Sequence, residues 1–123
     1  MKNATDRVVD KSVPEALTLL AALKTNTYDR LSAQFTVATH DLDQFVIKGQ
    51  VHPSAPLETL YSSSGSFTTP TGLLMTASGD LTTQAAGATG SFVMDVGGYY
   101  QVNIYAASVH AGGSLVNFYS SLR

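Results

Sequence analysis

The chain has 123 residues, no cysteine and a formal charge of −2, enough for one domain with its own core and without a disulfide framework or thiolate metal site. A pI near 5.8 provides no basic field, so nucleic-acid binding would lack the electrostatic term that dominates its affinity. No apolar run reaches the roughly 18 residues of a membrane-spanning helix, and the opening MKNATDRVVDK lacks the apolar middle of a signal peptide, so neither nucleic acid nor membrane is expected as a partner.

Residues 1–27 are expected to form an N-terminal arm with a short helix, and residues 28–123 a β-sandwich domain. The arm carries Lys2, Asp6, Arg7, Asp10 and Lys11, a charged extended segment of the kind that orders against a neighbour. In SVPEALTLLAALK, Ser12 and Glu15 have capping-box spacing, Pro14 suits a first turn, and Val13, Leu17, Leu20 and Leu23 recur at helical intervals. The spacing predicts a short helix, although LTLLAAL also fits a buried strand.

From Tyr28 the period becomes two. Leu31, Ala33, Phe35 and Val37 alternate with Ser32, Gln34 and Thr36, as in a half-buried antiparallel strand. The turn-forming THDLD leads into QFVIKGQVH, where Phe45, Ile47 and Val51 oppose Val46, Lys48, Gln50 and His52. Pro53 and Pro56 interrupt pairing before LETLYS, a shorter strand. Residues 62–91 are rich in small and turn-forming residues around one expected strand, GLLMTA. SFVMDV, YYQVNIYAAS and SLVNFYSS then read as three strands joined through glycine-rich connections. The expected fold class is all-β: an antiparallel β-sandwich or jelly-roll-like barrel of six to eight short strands.

Within GGYYQVNIYAAS, strict alternation places Tyr100, Val102, Ile104 and Ala106 on the core side. It places Tyr99, Gln101, Asn103 and Tyr105 outside. Rings interleaved with carboxamides suit a contact surface for a protein partner or a glycan, because rings stack on sugar faces and amides satisfy hydroxyls. An ordinary solvated strand face has the same appearance. Charge is also unevenly distributed: thirteen of the sixteen charged residues lie at or before Glu58, leaving Asp80, Asp95 and Arg123 beyond it. Such a charge-poor half suits surface covered by other subunits, or a plain Ser/Thr-rich β surface.

No catalytic constellation is recognisable, and the chain is read as a non-enzyme with no cofactor and no metal. His40 beside Asp41 and Asp43 reads as turn chemistry, Ser62–Ser66 has no positioned base, and Gly87–Gly90 lacks the lysine of a phosphate loop. Asp95 and Asp80 are a weak basis for acid/base chemistry.

The blocks YDRLSAQFTVATHDLDQFVIKGQVHPSA and SGDLTTQAAGATGSFVMDVGGYYQVNIYAASVHAGGSLVNFYS resemble small virion proteins of tailed bacteriophages over about residues 28–120. That family shows a similar strand followed by His-Pro, an Ala-Ala-Gly turn and a D-V-x-G-Y-x-x-V strand. The resemblance implies a β-sandwich used in capsid decoration, head completion or the tail, with no catalytic residues to carry over. It also implies localisation to the virion after assembly in the bacterial host cytoplasm. The implied partners are copies of the same chain, making a homo-oligomer, and other virion proteins, foremost the major capsid protein. The expected role is therefore a capsid decoration or cement protein, the alternative being a tail, baseplate or fibre module that binds a partner protein or glycan.

Overall fold

The computed structural model describes residues 4–38, 42–62, 75–78, 89–110 and 112–123. Nine strands are present among them: β1 (Ala4–Val13), β2 (Thr18–Lys24), β3 (Arg30–Ala38), β4 (Leu42–Gln50), β5 (Glu58–Ser62), β6 (Met75–Ser78), β7 (Thr89–Asp95), β8 (Gln101–Ser108) and β9 (Ser114–Leu122). They form a five-stranded sheet, order β1-β9-β3-β7-β6, and a four-stranded sheet, order β2-β8-β4-β5. All pairings between them are antiparallel. The fold is thus an all-β sandwich. Among the described residues each sheet ends in two unpaired margins, and the two sheets do not join into a closed barrel.

The two sheets meet through alternating apolar residues. Leu31, Ala33, Phe35 and Val37 of β3 face Phe45 and Ile47 of β4 across the core, together with Phe92, Met94, Val102, Ile104, Val116 and Phe118. Phe45 joins the layers directly: its ring stacks on Phe35 at 4.9 Å between centroids and meets Phe92 edge-on at 5.9 Å. Both are favoured ring geometries that add to the area they bury. Gly90 pairs with Phe35, and a Cβ there would lie 2.5 Å from Phe35 Cζ, so only glycine leaves room for this ring.

The expected N-terminal arm and helix are replaced by strands. β1 pairs with β9 and β2 with β8, which puts these two strands at one margin of each sheet. The helical spacing in LTLLAALK has a local cause: a bulge between Leu19 and Ala21 inserts one residue, so Leu20 and Leu23, three apart, are both buried in a strand. Burying these leucines against the core and completing hydrogen bonds along β8 outweigh the intrinsic helix preference of Leu and Ala. Ser12, expected as a helix cap, lies in β1, and Pro14 uses its carbonyl to accept the Ser108 N–H at 2.9 Å. Val51, expected on the core face, falls beyond the end of β4 and is exposed.

Candidate functional site

The strand β8 occupies an inner position in the four-stranded sheet, with β2 and β4 on either side, so its outward side chains lie near the middle of a broad face. Gln101, Asn103 and Tyr105 share this face and are linked in a chain. Gln101 Nε2 donates to Asn103 Oδ1 at 2.8 Å, and Asn103 Nδ2 donates to Tyr105 Oη at 3.1 Å. Residues two apart on a strand stand side by side, which lets these side chains reach one another without leaving the strand. Asn103 is buried and bonded through both its oxygen and its nitrogen, whereas Gln101 and Tyr105 are half-buried at its flanks. Lys48, opposite Asn103 on β4, places Nζ 5.3 Å from the centre of the Tyr105 ring. The result is a polar ridge with a cation on an aromatic face, able to hydrogen-bond through Gln101 and Tyr105.

Tyr99 does not belong to this ridge. It packs against the hydrophobic core, and its ring lies above Gly49, where an added Cβ would be 3.0 Å from Tyr99 Cδ1 and 2.8 Å from Leu60 Cδ1. Tyr100 instead stands beside Lys24, whose Nζ is 4.6 Å from the ring centre and donates to the phenol oxygen at 3.3 Å. The expected assignment of the two tyrosines is therefore reversed. Alternation holds inside a ladder, but β8 begins at Gln101, and the preceding turn is closed by Tyr99 N–H donating to Val96 O at 3.1 Å. Gly98 has φ +94° in that turn, a left-handed conformation that glycine adopts without strain. Buried Thr25 holds the result in place: its Oγ1 donates to Tyr99 O at 2.9 Å and its N–H to Tyr100 O at 3.0 Å.

A second outward face was not singled out from sequence. On the five-stranded sheet, Tyr119 is 40% exposed, between Arg7 on β1 and Gln34 on β3. Open grooves run on both sides of its ring, one bordered by Ser32, Gln34, Ser91 and Val93, the other by Thr5, Asp6 and Arg7. The alternation of Asn117, Tyr119 and Ser121 with the buried Val116, Phe118 and Ser120 is the signal that places it outside.

The described histidines serve turns. His52 Nδ1 accepts the Ser54 N–H, and His110 Nδ1 accepts the Gly112 N–H, both at 3.0 Å. His40, Asp41, Asp80, Ser63–Ser66 and residues 87–88 lie outside the described residues, as does the side chain of Asp43. Among the described residues no group of three or more His, Cys, Asp or Glu side chains is placed to hold a metal ion.

No protein-family profile matches the chain, and no curated protein matches it. Two solved structures share its fold. The SPBc2 prophage-derived protein YomS superposes with a TM-score of 0.61 at 8% identity, over 100% of this chain and 96% of YomS. A structure from Bacillus endospore appendages, described as a novel family of disulfide-linked pili, superposes with a TM-score of 0.52 at 15% identity, over 98% of this chain and 86% of its own. At these identities the likeness is one of fold.

Proposed function

We propose that the chain is a non-enzymatic structural protein of a tailed-phage particle, acting through contacts between subunits, with capsid decoration as its specific role. The observation that carries this reading is the pair of broad sheet faces, one built around Tyr119 and the other around the Gln101–Asn103–Tyr105 ridge, on a fold shared end to end with a prophage-derived protein. Flat polar faces suit many weak contacts repeated by symmetry, where avidity replaces a deep pocket. The likeness to a pilus component adds support for self-assembly, with one chemical difference: this chain has no cysteine, so disulfides do not link its copies. Its partners on this reading are its own copies and the shell protein beneath them, and its location is the virion, reached from the host cytoplasm.

The second reading, a tail, baseplate or fibre module, draws on the ridge itself, where the Tyr105 ring, two carboxamides and Lys48 could meet a glycan. Adding purified protein to particles assembled without it separates the readings. Saturable, symmetric binding to heads supports decoration. Binding to host cell surfaces that is lost with Tyr105→Ala supports the tail module, and binding to neither removes both.

A further inference from the structure

Among the described residues strand β1 has one neighbour, β9, so its other edge is an unpaired row of backbone groups at the margin of the five-stranded sheet. Long open edges invite pairing with another chain, and proteins commonly block them with charges and bulges. β1 carries both. Asp6, Arg7, Asp10 and Lys11 are exposed, and Val9 and Asp10 form a bulge opposite Asn117. Asp10 has φ 53° there, and its N–H donates to Asn117 Oδ1 at 2.7 Å. Among the described residues, none of these four charged side chains has an oppositely charged partner within the chain.

The order of the charges separates this edge from a merely blocked one. Because the bulge counts as a single position, Ala4, Asp6, Val8, Lys11 and Val13 share one side of the strand, opposite the buried Leu122, Ser120, Phe118, Val116 and Ser114 of β9. Thr5, Arg7, the Val9–Asp10 pair and Ser12 share the other. This pattern is self-complementary under a twofold rotation about Val8. An antiparallel second copy would set Asp6 against Lys11, Arg7 against the Val9–Asp10 bulge, Thr5 against Ser12, and Val8 against its own equivalent. Opposite residues in an antiparallel pair project to the same side, so each acid meets a base on the same face. A parallel copy would oppose Asp6 to Asp6 and Lys11 to Lys11.

We propose that the β1 edge is a homodimer contact, in which two copies of this chain join their five-stranded sheets by antiparallel β1–β1 pairing about Val8. The proposal rests on the multi-copy structural reading and names the surface and symmetry of one of its contacts. The pairing satisfies backbone groups that water otherwise serves, and its exposed ion pairs select register and direction more than they add strength. It is therefore a weak, salt-sensitive contact suited to a repeating array.

Sedimentation at low ionic strength with wild type, Asp6→Lys, Lys11→Asp and the double exchange provides the test. Each single reversal turns two symmetry-related attractions into repulsions and weakens dimerisation roughly tenfold or more, while the double exchange restores it to within about threefold of wild type. A Thr5→Cys/Ser12→Cys chain forms an intermolecular disulfide on oxidation and Thr5→Cys alone does not, since only the first pairing brings the two positions together. Unchanged association in Lys11→Asp, or no cross-link in the double-cysteine chain, overturns the edge contact while leaving assembly through another face intact. A wild type that stays monomeric at every concentration also overturns the edge contact. Binding to particles then decides the structural reading separately.

Discussion

The ring of Tyr99 occupies the space that a side chain on Gly49 would fill. A Cβ at Gly49 would lie 3.0 Å from Tyr99 Cδ1 and 2.8 Å from Leu60 Cδ1, so glycine on β4 and tyrosine before β8 fit as a pair. Gly49→Ala forces both neighbours to shift and should destabilise the fold by about 1–3 kcal/mol, as overpacking does. Urea unfolding should show a lower midpoint with an unchanged slope.

The same relationship separates Tyr99 from Tyr105. Tyr99→Ala removes a ring packed on the core and should cost about 2 kcal/mol or more. Tyr105→Ala trims a half-buried ring on the outer face and should cost less, about 1 kcal/mol. Equal losses from the two would contradict the inward placement of Tyr99.

Thr25 is fully buried, and its hydroxyl donates to the Tyr99 carbonyl. Thr25→Val keeps the shape and removes that donor, leaving a carbonyl under-satisfied at a cost of about 1–2 kcal/mol. Amide exchange should quicken at Tyr99 and Tyr100, whose backbone the threonine clamps, more than in β3 or β9.

Gly90 faces Phe35 within the aromatic layer that joins the sheets. Gly90→Ala places a methyl against the ring and should destabilise by about 1–3 kcal/mol, more than Gly98→Ala costs if that turn relaxes. Chemical denaturation of both variants checks the order.

Strands whose alternation is unbroken were legible from sequence: β3, β7 and β9 show period two, and the Pro53–Pro56 break before β5 is where expected. β2 was legible only as the alternative to a helix, because its bulge turns a two-residue period into the three-residue spacing of Leu20 and Leu23, which imitates a helix. β1 was hidden because an edge strand with charges on both sides has no apolar period. Three of the four candidate contact residues share a face because they lie within β8, and Tyr99 departs because Gly98 redirects the chain just before the ladder begins. The Gln101–Asn103–Tyr105 hydrogen bonds and the grooves beside Tyr119 depend on side-chain conformation and cross-strand neighbours, which the order of residues alone does not specify.

Asn103 is the central link of the outer ridge. Asn103→Ala should leave the fold standing at a cost of about 1 kcal/mol, because water can replace its bonds to Gln101 and Tyr105 at their exposed ends. If the ridge is a contact between subunits, the variant should bind particles more weakly while its monomer remains folded by circular dichroism.

The most direct measurement is quantitative mass spectrometry of purified particles produced by the genome that encodes this chain, paired with electron cryo-microscopy of the same particles. A structural subunit should be present in a fixed copy number that matches the particle's symmetry, with the two-sheet sandwich resolved at repeated positions on its surface. Particles that are complete and infectious but contain none of the chain would contradict a structural role.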